Sequence, residues 1–336
     1  KENKAESVPS LRQHHTFHLP ASGREIISFS SPELFRARWL QSDTNYLLGG
    51  GSNTLFLEDF DGQVFINEMR GIEHAESDTH HLLRVAGGEN WHALVTYCLD
   101  KGWYGMENLA LIPGSVGASP IQNIGAYGVE VGQFIASVEF IDIQSGKATT
   151  LNNSECEFGY RDSVFKKALA GKTLITHVNF ALPKAYSPVV SYGELAALDN
   201  PTAQQVYDTV IAVRKSKLPD PDELGNAGSF FKNPVVSVSH FERLKKAAST
   251  IPGFVVDNGV KIPAAWLIDQ CGFKGKTEGG VRCHITQPLV LTNTGEAVGN
   301  DVVKLARSIM DTVRERYDIA LEAEVRLVGR NGVINL

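Results

Sequence analysis

Residues 112–128, IPGSVGASPIQNIGAYG, constrain this chain more than any other stretch. Four glycines and two prolines fall within seventeen residues. Proline removes a backbone donor and glycine is entropically costly in regular structure, so neither a helix nor a strand runs through them. A surface loop would be polar, yet this one carries isoleucine, valine and alanine. The reading is a long ordered loop over residues 103–128. Its backbone N–H groups and small side chains suit a ligand lying along it.

A second small-residue segment, Leu48-Gly49-Gly50-Gly51-Ser52-Asn53-Thr54, follows the apolar run Tyr46-Leu47-Leu48. Three glycines let backbone approach a phosphate, and the three polar side chains offer hydrogen bonds. A bare G-G-G is as often a tight turn. The Rossmann fingerprint fails because Thr54 stands at its third glycine. A serine-hydrolase elbow fails at Pro113, and a P-loop ending in Gly275-Lys276-Thr277 fails at Gln270. Two further loops carry chemistry-bearing residues. FGYRDS places Arg161 beside a phenol, a carboxylate and a hydroxyl, and GSFFKNP places Ser229 after a flexible turn and near Lys232. Alone, Arg161 reads as a surface ion pair and Ser229 as a cap. Together the four segments indicate an enzyme with a phosphate-rich cofactor.

Composition narrows the classes. At 336 residues the chain holds two or three domains, with an ordinary 43% hydrophobic and 21% charged content. Lys plus Arg number 32 against 38 Asp plus Glu, a net charge of -6, which is no footprint for duplex nucleic acid. A local basic pocket for a small anion stays open. No apolar run approaches 18 residues, and the polar start has no signal-like core, so neither a membrane span nor an intact signal peptide is expected. A removed signal stays open. Cys98, Cys156, Cys271 and Cys283 form no C-x-x-C pair, so the expectation is four reduced, mostly buried thiols in a cytosolic protein and no metal site. His14-His15 and His80-His81 are adjacent pairs whose rings point apart on a helix or a strand, so neither makes a metal clip.

Helices and strands mix without a fixed repeat, which makes the chain α+β. Residues 1–70 read as β-rich with one helix, opened by Ser31-Pro32-Glu33. Strands are expected at Tyr46 to Leu48, Val64 to Ile66, His81 to Val85, Ile135 to Ile143, Leu174 to Leu182 and Ala323 to Val328. Asn90 caps a helix bearing Leu94, Val95 and Cys98, and Thr202-x-x-Gln205 is a capping box. Ser239-x-x-Glu242 opens another helix. Ala264, Leu267, Ile268 and Cys271 form an apolar stripe ended by Gly272. A last helix runs from about Asp301 to Arg316, and PDPDELGNAG, residues 219–228, is the clearest linker.

Seven motifs in order, LGGGSN, IPGSVGASPIQNIGAYG, FGYRDS, KLPDP, NAGSFFKNP, AAWLIDQCG and LEAEVR, resemble the UDP-N-acetylenolpyruvoylglucosamine reductase family, from about Thr16-Phe17 to Val328. SYGEL around Tyr192 and the intact AGSFFKNP loop resemble its longer, type I form. The resemblance implies an FAD-binding fold like that of the vanillyl-alcohol-oxidase flavoproteins, followed by a C-terminal α+β substrate domain. The parts would be residues 11–70 (completed by 325–336) and 71–218 for the cofactor, and 219–324 for the substrate. Non-covalent FAD would lie on Gly49, Gly50, Gly51, Ser52, Asn53 and Thr54. Its second cradle would be Ile112, Pro113, Gly114, Gly117, Ala118, Ser119, Ile121, Gln122, Asn123, Gly125, Ala126 and Tyr127, with Arg161 beside it.

The implied activity is NADPH-dependent reduction of UDP-N-acetylglucosamine enolpyruvate to UDP-N-acetylmuramate for the bacterial cell wall, by a cytoplasmic monomer. Hydride from flavin N5 would reach C3, and negative charge would build at C2 and its carboxylate. Such an intermediate needs fixed positive charge and an acid. The resemblance assigns Arg161 to the first, Ser229 to the second and Glu324 to assistance. It carries substrate contacts to Tyr192, Lys217, Asn233, Lys274 and Gln287, and pairs Phe254 with a tyrosine near the uracil. His18 departs from the small residue usual after Thr-Phe. Two rivals remain: a flavin oxidase of the same fold, opposed by AGSFFKNP and LEAEVR, and a silent nucleotide-binding regulator, opposed by the presence of all three catalytic candidates.

Overall fold

A computed structural model describes residues 8–49 and 53–336. Two packed units emerge, one of residues 25–49 and 62–216, the other of residues 8–24, 53–61 and 217–336.

The unit of residues 25–49 and 62–216 is built on a five-stranded antiparallel sheet. Its order is Ala148–Asn152, Ile135–Asp142, Thr173–Pro183, His80–Ala86 and Ile72–Glu76. Alternation explains the central strand: Leu174, Val178, Phe180 and Leu182 are all buried. The helix Trp91–Lys101 lays Trp91, Leu94, Val95 and Cys98 into the same core. Asn90 caps it by accepting from the Ala93 N–H, and Gly102 ends it in the left-handed conformation. The helix Ala203–Lys217 adds Val206 and Val210, and its capping box is present, Thr202 and Gln205 each accepting the other's backbone N–H. A smaller core gathers Phe29, Phe35 and Phe65 under the helix Pro32–Trp39, which Ser31 caps.

The other unit packs the long helix Gly299–Tyr317, with Val302, Leu305, Ile309 and Val313 inward, against Phe230, Phe231 and Leu267. Phe17, Leu19 and Leu55 belong to this core although they lie far away in sequence. Strand Arg326–Gly329 pairs in parallel with Thr54–Phe56. A four-stranded sheet runs Asn226–Ser229, Val290–Asn293, Val281–Cys283 and Thr277–Glu278. The helix Ala264–Gln270 buries Ala264, Leu267 and Ile268, and Gly272 follows at φ +77°.

Three boundaries differ from the sequence expectation. Ser237, not Ser239, caps the helix Val238–Ala247, because its extended backbone presents the hydroxyl to the His240 N–H. The last helix begins at Gly299 rather than Asp301. Asp301 sits in its first turn and reaches back to accept the Val298 N–H at 3.1 Å. The final strand is Arg326–Gly329, and Ala323 makes only an isolated bridge to Phe231. No helix among the described residues is long and apolar enough to cross a membrane. Burial pushes the thiols of Cys98 and Cys283 up to about 12, so both stay protonated.

Candidate active site

Residues 112–128 form an ordered loop fixed from two sides by the first-described unit. On one side, the Gly117 N–H donates to the Gly87 carbonyl at 2.9 Å and the Val116 N–H to that of Glu89 at 2.8 Å. A Cβ on Gly117 would lie 2.9 Å from the Gly87 oxygen, so this glycine answers to neighbouring backbone. Ser115 caps the short turn Val116–Ala118. Gly49 comes close as well, since a Cβ there would stand 3.0 Å from the Ala118 methyl. Gly50, Gly51 and Ser52 lie outside the described residues.

On the other side stands Arg161. Its guanidinium donates to the carbonyls of Gly125 at 2.7 Å and Asn123 at 3.3 Å, lies 4.0 Å from the Glu130 carboxylate and covers the Tyr160 ring. Two of its five N–H donors thereby hold the glycine-rich loop in shape. The backbone of Arg161 is left-handed at φ +48°, a costly conformation for a residue that carries a Cβ and one often kept at functional sites. Ser163 adds a bond from its hydroxyl to the Ile121 carbonyl at 2.7 Å. Asn123 spans the same space, donating to Gly159 and accepting from Gly132, both at 2.8 Å. Ile112, Pro113, Gly114, Ser119, Gln122 and Ala126 complete the loop between these anchors.

Tyr192 joins this group. Its half-exposed ring lies so close over Gly128 that a Cβ there would collide with it, and Gly193 lies against Tyr127. Three contributors were not legible in advance. Asn108 is buried and donates to the carbonyls of Tyr127 at 3.0 Å and Val189 at 2.8 Å. Glu107 next to it is buried, and desolvation raises its carboxyl above the usual range. Arg214 has a buried Nε with no hydrogen-bond partner, lies within the field of Tyr127, and is pulled below the ordinary guanidinium range by burial. A cationic side chain beside this loop whose buried Nε has no hydrogen-bond partner fits a cofactor that carries phosphate. Asn108 had a signal, an amide directly ahead of the glycine-rich run; Arg214 had none beyond its place on a helix.

The unit of residues 8–24, 53–61 and 217–336 holds the remaining candidates. Asn226–Ser229 carries a register shift, and Gly228 sits at φ +67° with open space where a Cβ would be. The Asn226 side chain accepts from the Gly228 N–H at 2.9 Å and sets this turn. A bulge of this kind re-aims the side chain that follows it, which is Ser229. Phe230 and Phe231 behind it are buried in the core and fix its position. The Glu324 N–H donates to the Phe230 carbonyl at 2.8 Å, which puts Glu324 one residue from Ser229 across the bridge. The Phe230 N–H in turn donates to Leu289, so the turn carrying Gln287 is adjacent too.

Asn233 accepts the Ala264 N–H at 2.9 Å and therefore also caps a helix. Lys274 pairs with Asp269 at 3.1 Å. The Asn53 backbone carbonyl accepts from the Arg326 N–H at 2.8 Å, and Thr54 is buried in its strand. Lys217 ends its helix, and Phe254 lies on an exposed strand with its side chain largely in solvent.

Comparison with known proteins identifies the family. Residues 220–328 match the family model for the UDP-N-acetylenolpyruvoylglucosamine reductase C-terminal domain, and residues 41–152 match that of an FAD binding domain. The chain is 51% identical to the UDP-N-acetylenolpyruvoylglucosamine reductase of Pseudoalteromonas atlantica, over 98% of this chain and 96% of that one. It is 45% identical to the Haemophilus ducreyi enzyme of that name, over 97% of each. The crystal structure of UDP-N-acetylenolpyruvylglucosamine reductase from Thermus caldophilus superposes with a TM-score of 0.66 at 21% identity, covering 96% of this chain and 98% of that one, a likeness of fold.

Proposed function

Because the chain belongs to the UDP-N-acetylenolpyruvoylglucosamine reductase family, we propose that it reduces UDP-N-acetylglucosamine enolpyruvate to UDP-N-acetylmuramate in peptidoglycan precursor synthesis, as a cytoplasmic monomer. Residues 49–54 and 112–127 would hold FAD, which when bound would supply the hydride chemistry between NADPH and C3 of the enolpyruvyl group that no side chain can. Residues 11–70 (with 325–336) and 71–218 serve the cofactor, and 219–324 covers the substrate.

Hydride addition at C3 leaves an electron pair at C2, delocalised into the carboxylate. Arg161, held by the Asn123 and Gly125 carbonyls, offers a charge that needs no reorganisation as the enolate develops. Ser229 gives its proton to C2, which completes the C–H bond and turns the double bond into a single one. A hydroxyl is a weak acid, so the transfer depends on a strongly basic enolate; Glu324 assists and restores the proton. Lys217 and Lys274 suit the diphosphate, and Tyr192, Asn233 and Gln287 contribute further substrate contacts.

The observation that carries this reading is Ser229 set on a glycine bulge with Glu324 hydrogen-bonded one residue away. Its test is spectroscopic. Purified protein is expected to be yellow, to bleach with NADPH in the absence of oxygen, and to regain colour when the enolpyruvyl substrate is added. Colourless protein, or bleached protein that only oxygen restores, would contradict it.

A further inference from the structure

The adjacent histidines His80 and His81 part as neighbours on a strand must. Strand pairing then does what adjacency does not. In the register of Ile72–Glu76 with His80–Ala86, Glu76 opposes His81 and His74 opposes Leu83. His74 and His81 are therefore diagonal neighbours on one face, a separation that long or aromatic side chains bridge. The His74 Nε2 and His81 Nδ1 atoms stand 3.1 Å apart. Beneath them Trp103 stacks on His74, with ring centroids 4.0 Å apart and planes within 11°, which fixes the imidazole plane. Tyr97 meets Trp103 edge-on at 5.8 Å.

Two imidazole nitrogens that share one hydrogen bond can equally share one cation. With metal–nitrogen bonds of about 2.0–2.1 Å, cis ligands lie about 2.9 Å apart at right angles and about 3.4 Å apart at the tetrahedral angle. The observed 3.1 Å falls between. The Glu76 carboxylate is 3.8 Å from His81 Nδ1 and contributes negative charge, although Lys184 holds it at 2.9 Å. We propose that His74 and His81 chelate one divalent late transition-metal ion, Cu(II) most tightly and Ni(II) or Zn(II) less so, as a clip that fastens the edge strand to its neighbour. Among the described residues no three His, Cys, Asp or Glu side chains converge as a ligand set, so water fills the other positions. The proton that the two nitrogens share is released to solvent when the ion binds.

The test uses the FAD-loaded enzyme. Calorimetry with ZnCl2 is expected to give one site per chain, and CuCl2 to quench the part of the tryptophan emission that Trp103→Phe removes. His74→Gln and His81→Gln are each expected to weaken Zn(II) binding at least tenfold and to abolish a zinc-dependent rise in Tm. His80→Gln, whose ring bonds to Thr79 instead, is expected to keep full affinity. Unchanged affinity in both His74→Gln and His81→Gln, equal loss in His80→Gln, or no saturable binding would overturn the proposal. Flavin content, read at the same time, reports folding of each variant separately.

Discussion

His15 shows how much one buried side chain can fix. Its ring is almost fully inaccessible; Nε2 lies 3.1 Å from the Leu19 carbonyl, and Nδ1 accepts the Phe56 N–H at 3.4 Å. That places the proton on Nε2 and leaves no room for a second. Burial accordingly lowers the pKa from 6.5 to about 4. The folded protein prefers the neutral ring, so stability is complete above pH 6.5 and is lost as pH falls towards 4, by as much as about 3 kcal/mol. His15→Phe is expected to flatten this part of the Tm-against-pH curve; an unchanged slope between pH 6.5 and 4 would contradict it. At the same scale, Gly117→Val and Gly125→Val are expected to yield colourless or weakly coloured protein. Gly125 has a reason beyond its own backbone, since a Cβ would lie 2.8 Å from the Val129 oxygen and 2.9 Å from Arg161 Nη1. Near-normal flavin content in both variants would refute their placement in the cofactor cradle.

Elements were legible where local chemistry decides them. Ser31, Asn90 and Thr202 cap helices as read, because capping needs only a short polar side chain at a fixed offset. Ser239 misled because a serine two residues earlier had the extended backbone a cap requires. The His74–His81 approach was invisible, because it depends on cross-strand register and sequence spacing carries no such information. Asn233 joins element and site. Its amide oxygen caps the helix Ala264–Gln270 in addition to the substrate contact proposed for it. Asn233→Ala is expected to cost about 1 kcal/mol of stability along with a raised KM. Asn233→Asp keeps an acceptor for the Ala264 N–H and is expected to recover the Tm but not the KM. Recovery of both together, or of neither, would separate the two roles differently.

Across the whole molecule, the order of the motifs was enough to indicate the family, while the packing of distant segments was not. Phe17, Leu19 and Leu55 are apolar, but nothing local says that they share a core with Leu267 and Ile309. Arg214 was missed for the same reason, its burial being a product of tertiary packing. Lys217 is proposed as a diphosphate contact, so Lys217→Ala is expected to raise KM for the UDP substrate far more than it lowers kcat. A collapse of kcat alone would reassign it.

The central claim is that Ser229 supplies the proton at C2. Flavin reduction by NADPH needs no proton delivered to carbon, whereas reoxidation by the enolpyruvyl substrate does. Anaerobic stopped-flow on Ser229→Ala, following flavin bleaching and then its return, separates the two. The account predicts nearly intact bleaching and a reoxidation slower by at least about 10²–10⁴-fold, partly recovered in Ser229→Cys. Equal slowing of both phases, or of neither, would contradict it and leave Ser229 as a structural residue of the bulge at Gly228.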